Sequence, residues 1–95
     1  MKTMTKMKTK ICFRYWQNDI IALFPEEIAD PNGNVLSYIH IGQQGTANLD
    51  LIIENSREAF FHEALPLYLE IANIIGYEKL EVVSGDNLLH ERVIV

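Results

Sequence analysis

The chain reads as an α+β domain: a small antiparallel β-meander of three to five strands packed in two layers against one main α-helix, in the order β-β-β(-β)-α-β. Three observations predict this. β-Branched and aromatic residues alternate with period two over residues 11–16 and 35–41, the pattern of half-buried strands. One long stretch, residues 59–75, carries apolar residues at helical spacing and stops at Gly76. Finally, 95 residues, 48% apolar and 22% charged, fit one domain that buries roughly two-thirds of its unfolded surface. One helix covers one face of such a sheet. The other face is expected to be polar, covered by the tail, or open to a partner.

Residues 1–9, rich in Lys, Thr and Met, have no periodicity and read as a disordered basic tip. Residues 10–95 are expected to form the single domain. In the first strand Ile11, Phe13 and Tyr15 share one face, and Cys12, Arg14 and Trp16 the other. Gln17-Asn18-Asp19 is a polar turn that tolerates positive φ, so a hairpin leads into Ile20–Phe24. Pro25 is expected to stop that second strand, because it has no N–H for the ladder. The loop that follows contains Asp30-Pro31-Asn32-Gly33, a β-turn with Pro at its second position. Val35–Ile41 is the third strand.

Gly42 to Gly45 breaks the third strand as a turn or bulge. Ala47, Leu49, Leu51 and Ile53 then alternate, as a fourth strand or a continuation of the third. Asn55 with Glu58 three residues on has the spacing of a capping box. Leu65, Tyr68, Leu69, Ala72 and Ile75 mark the inner face of the helix. Pro66 is tolerated in a first turn, so the helix is expected to begin near Glu63. Lys79–Val83 is the last strand. Val93-Ile94-Val95 would suit an edge strand or a partner contact. Ile11, Phe13, Leu23, Ile39, Leu69, Ala72 and Leu80 are the expected core.

Charge narrows the function. Lys2, Lys6, Lys8 and Lys10 lie in the first ten residues, whereas residues 11–95 hold four basic residues and all thirteen acids. Such an acidic body repels phosphate and argues against a nucleic-acid face. No apolar run reaches a membrane span, and Arg14, Gln17, Asn18 and Asp19 interrupt Ile11–Phe24 as a signal core. Cys12 is the only cysteine, which excludes a disulfide scaffold and fits a reducing cytoplasm. His40, His62 and His90 lack metal-ligand spacing, so no metal or cofactor is expected. Cys12 reads as a buried strand thiol and Glu26-Glu27 as a solvated turn. Phe13, Tyr15 and Trp16 read as packing residues, since Arg14 is the only basic residue that interleaves with them and the body is acidic, unlike a base-stacking platform.

The most distinctive segment is Ser37-Tyr38-Ile39-His40-Ile41-Gly42-Gln43-Gln44-Gly45. Tyr38 and His40 share a strand face, and Gln43 and Gln44 sit in a glycine-flanked bend. If the bend bulges, Gln43 turns back toward that face. Tyr38, His40, Gln43 and Gln44 are thus the candidate ligand- or partner-contacting patch, with His40 partly accessible and hydrogen-bonded.

Phe13-Arg14, Ile21-Ala22-Leu23-Phe24-Pro25, Ala29-Asp30, Gly33, Ser37-Tyr38, His40, Gly42-Gln43 and Ile75-Gly76-Tyr77 resemble a family of short bacterial proteins of unassigned activity. Its pattern runs F-R…ALFP…AD…G…SY-x-H-x-GQ-H…IGY, and its members are linked to phage-like or other mobile DNA. Gln44 stands where that family shows His. The resemblance implies a context and no mechanism. The expected function is therefore a small non-enzymatic interaction module, an accessory of a mobile element, bound to an unidentified protein partner or to itself. The alternative is a small-ligand binder or enzyme built on Tyr38, His40, Gln43 and Asp50. Nucleic acid and membrane are not expected partners.

Overall fold

The protein is described by a computed structural model that covers residues 8–39 and 43–87. Strand β1 (Thr9–Trp16) turns at Gln17 and Asn18 into β2 (Asp19–Ile28). Both turn residues have positive φ, 52° and 67°, as a type I′ hairpin requires. The resulting register, Trp16 opposite Asp19 and Cys12 opposite Leu23, fixes which side chains face which layer. β1 starts at Thr9, just inside the segment read as the basic tip.

Pro25 does not end β2. The β2–β3 register shifts between Phe24 and Ile28, so Pro25 falls in an irregular step that needs no ladder donor from it. Glu26 and Glu27 continue the exposed end of the strand, and Lys10 Nζ lies 3.4 Å from Glu26. The expected turn follows. Gly33 N–H donates to the Asp30 carbonyl (3.1 Å), and the Asp30 side chain accepts from Asn32 N–H (2.9 Å). β3 (Val35–Ile39) and β4 (Gln43–Ala47) come next.

The alternation expected to form a strand beyond Ala47 is instead helix α1 (Leu49–Glu54). Asn48 decides it: its side chain accepts the Leu51 N–H at 3.0 Å, which caps the first turn. Leu49, Ile52 and Ile53, at i, i+3 and i+4, are then buried together. Over so few residues both periods fit, and the cap selects the helix. Asn55 closes α1 rather than opening α2, and Glu58 belongs to a short strand, β5 (Arg57–Glu58).

Helix α2 spans Phe61–Ile75, beginning two residues before Glu63. Glu63 caps it by accepting Phe60 N–H at 2.9 Å. Pro66 lies inside the helix. It and His62, whose carbonyl loses its donor, are both exposed, so water can satisfy that carbonyl. The inner face is Ala64, Leu67, Ile71 and Ala72, while Leu69 is 40% exposed. Apolar residues occupy so many positions here that two helical phases compete, and the one through Leu65 and Leu69 is not the one buried. Gly76 ends α2 at φ 111°, as its sequence position implies. A 3₁₀ turn (Tyr77–Lys79) leads into β6 (Leu80–Val82).

The sheet order is β4-β3-β2-β1-β5, and β6 shares the outer edge of β1 with β5. The β1–β6 pair is parallel, so the sheet is mixed rather than wholly antiparallel. Nor is the domain two-layered. Ile11, Phe13, Ala22, Phe24 and Tyr38 pack on α2. Cys12, Ile21, Leu23 and Val35 pack on the opposite side against Leu49, Ile52 and Ile53 of α1. Both faces are thus covered by helices, the second by the segment read as a strand. Ile39, expected in the core, is half-buried at the margin of the α1 side.

Candidate functional site: the β4 edge and its two clefts

β3 and β4 pair with Tyr38 opposite Gln44 and Ile39 opposite Gln43. Cross-strand partners project to one face. Tyr38 belongs to the α2-side core and Ile39 to the α1 side, so Gln44 goes with Tyr38 and Gln43 with Ile39. The candidate patch is therefore divided: Gln43 does not turn back toward Tyr38. His40 lies outside the described residues, as does the tail Val93–Val95.

Tyr38 is only 6% exposed. Its hydroxyl donates to Glu70 Oε2 at 2.8 Å, which ties β3 to α2. That hydrogen bond to the carboxylate, followed by burial, raises the phenol's pKa. This phenol is engaged inside the protein. Gln43 and Gln44 are exposed. Asp50 sits on α1 among residues lining a separate polar depression with Asn32 and Asn34.

A cleft of about 370 Å³ opens beside Gln43 on the α1 face, between Ile39, Gly45 and Ala47 of the hairpin, Trp16, and Leu51 of α1. A second, about 270 Å³, opens beside Gln44 on the α2 face, lined by Phe24, Leu36, Tyr38 and Ile74. β4 thus carries an apolar cleft on each side. Among the described residues β3 is its only strand neighbour. The strand Gln43-Gln44-Gly45-Thr46-Ala47 has neither the charge nor the proline that blunts many sheet edges. The described residues lining the Gln43 cleft have no ionisable side chain. The cleft therefore offers apolar contact and amide or hydroxyl hydrogen bonds, without acid–base chemistry from those residues.

Other sequence candidates have structural places. Cys12 is fully buried, and burial foremost pushes its thiol up to about 12, so it stays protonated and non-nucleophilic. Among the described residues no three His, Cys, Asp or Glu side chains are grouped to hold a metal ion. No described helix is long and apolar enough to cross a membrane.

Sequence reasoning missed Arg14. It is 1% exposed, yet all five of its N–H donors are used. Nε donates to Ser56 Oγ (2.8 Å), Nη1 to Glu58 (2.9 Å) and Asp86 (3.0 Å), and Nη2 to the carbonyls of Ile53 (3.1 Å) and Ser56 (2.8 Å). Gly85 packs so closely that a Cβ there would lie 3.1 Å from the guanidinium. Full satisfaction leaves no donor for a ligand, so Arg14 is a clamp that joins α1, β5 and residues 85–86. An alternating strand that places Arg14 beside Cys12 gave no warning, because its partners are 39 to 72 residues away.

Compared with protein-family models, curated proteins and solved structures, the chain matches none.

Proposed function

We propose that the protein is a small non-enzymatic interaction module that accepts an extended segment of a partner protein as an added strand on β4. One observation carries this reading: the β4 edge has an apolar cleft on each face. A strand laid along β4 sends alternate side chains to opposite faces, so successive residues of the partner would reach the two clefts in turn. Main-chain hydrogen bonds supply affinity in this mode and the clefts supply specificity. A partner segment with period-two apolar residues fits best.

The reading of Tyr38, His40 and Gln43 as a small-molecule site has less support, since Tyr38 is engaged by Glu70 and Gln43 faces the other way. The resemblance to bacterial proteins often linked to phage-like DNA supports an accessory role in a mobile element, and the single thiol, Cys12, supports the cytoplasm as its compartment.

The test is selection of a displayed library of random peptides on the full chain, followed by NMR mapping of a selected peptide. Shifts should centre on Gln43–Ala47, and selected peptides should alternate apolar and polar residues. Leu51→Glu, at a residue 55% exposed, should abolish binding without changing the melting temperature. Peptides that map away from β4, or that bind Leu51→Glu undiminished, would defeat the reading.

A further inference from the structure

The two clefts beside β4 differ in charge. The described residues lining the α1-side cleft have no ionisable side chain. The α2-side cleft has a carboxylate in its wall: it runs from Gln44 on β4, past Leu36 and Tyr38 on β3, to Glu27 on β2. Glu27 is exposed. Among the described residues no ion pair or hydrogen bond engages it, since Lys10, the lysine on the neighbouring strand, is held by Glu26 at 3.4 Å. The Glu70 carboxylate, which accepts the Tyr38 hydroxyl at 2.8 Å, adds a second negative charge on this face. The chain around the cleft has the same sign: residues 11–95 hold four basic residues against thirteen acids. Register fixes which residues of an added strand meet this carboxylate. Leu36 pairs with Thr46 and Tyr38 with Gln44, and both Leu36 and Tyr38 pack on the α2 side. Partner residues opposite Gln44 and Thr46 therefore project to the α2 face, and those opposite Gln43, Gly45 and Ala47 to the α1 face.

We propose, resting on the strand-addition reading above, that the partner segment is two-sided: apolar at the positions that enter the α1-side cleft, and carrying a lysine or arginine opposite Gln44 or Thr46 that pairs with Glu27. An added strand lies three strand spacings from β2, about 14 Å, so only a long side chain and the Glu27 side chain together span the gap. Lys and Arg suit that path, because their stems are apolar and their charge sits at the tip. Leu36 and Tyr38 give the stem an apolar floor, and Glu27 stands at its end. An uncharged apolar side chain in this cleft would take the Glu27 carboxylate out of water without a partner, which costs affinity. An acidic one would meet like charge. The cleft thus selects by what it rejects as well as by what it holds, and the acidic surface draws a basic segment toward it.

The test selects displayed random peptides in parallel on the full chain and on its Glu27→Gln variant, then titrates the tightest wild-type peptide in synthetic form. Peptides selected on the wild-type chain should be enriched in Lys or Arg at positions of one parity and in apolar residues at the other; the basic enrichment should vanish on Glu27→Gln. Replacing the peptide's basic residue by Gln, or Glu27 by Gln, should each weaken binding about fivefold at low salt, the upper end for an exposed ion pair. Both changes together should weaken it no further than either alone. Glu81→Gln, at an exposed acid on β6 by the opposite edge of the sheet, should leave affinity unchanged. Peptides whose NMR shifts centre on Gln43–Ala47 but which lack basic residues, or bind Glu27→Gln as tightly as wild type, would overturn this proposal and leave strand addition standing. The chain's own Lys2 or Lys6 holding Glu27 would give that second outcome. An equal loss at Glu81→Gln would also overturn it, because the charge would then act from anywhere on the surface. Peptides that map away from Gln43–Ala47 would overturn both.

Discussion

Arg14 shows how one buried cation can organise distant segments. A guanidinium taken out of water is tolerable only when its donors are all met, and here a serine, two carboxylates and two carbonyls meet them. Arg14→Met should lower the unfolding free energy by about 3 kcal/mol, the lower end for breaking a buried pair. The lower end applies because Glu58 and Asp86, 39% and 66% exposed, can turn to water. A denaturant midpoint within experimental error of wild type would contradict this. Gly76 has φ 111° and ψ 133°, a region that side chains with a Cβ rarely adopt. The nearest atom to an added Cβ is 3.6 Å away, on Glu78, so the cost is torsional rather than steric. Gly76→Ala should cost about 1 kcal/mol or more, read as a lower melting temperature.

At the scale of elements, the phase of α2 is open to a paired test. Leu67 is 3% exposed and Leu69 40%. Leu67→Ala should cost about 2–5 kcal/mol as a core truncation, while Leu69→Ala should stay within about 0.5 kcal/mol. The reverse ranking in chemical denaturation would show the helix to be rotated. α2 is joined to β5 by Arg57, which holds Glu63 through two bonds of 2.9 and 2.8 Å and lies over the rings of Tyr15 and Phe60. The Arg57 hydrogen bonds, then the Phe60 N–H, pull Glu63 from the usual 4.5 to about 2. A carboxyl depressed on folding adds stability above its unfolded pKa and loses it as protons bind. The contribution should therefore be full above about pH 4.5 and vanish on acidification toward pH 2. A Glu63→Gln variant should show a shallower fall in melting temperature across that window, and identical slopes would count against the linkage.

For the whole molecule, the central sheet is sandwiched between α1 and α2, and β1 and β2 carry side chains buried on both faces. Amides of the central residues 11–14 of β1 and 21–24 of β2 should therefore exchange with solvent only through global unfolding. Those of β4, an edge whose residues 43–46 are all exposed, should exchange by local opening. Hydrogen exchange read by NMR would expose an error if β4 proved as protected as β1. Much of this architecture was legible from neighbouring residues. The β1–β2 hairpin, the Asp30 turn and the Gly76 stop each depend on steric preferences a few residues wide, and such preferences are written locally. The glycine-flanked Gln43-Gln44 pair was also visible, but not the face each residue takes, because that follows from the pairing of β4 with β3. The identity of α1, the rotation of α2 and the burial of Arg14 were decided only in the folded chain. At residues 49–54 and 61–75 more than one apolar face was available, and the face buried is the one that another element covers. Arg14 finds its carboxylates 44 and 72 residues away, a distance over which no local pattern reaches and only packing brings the groups together.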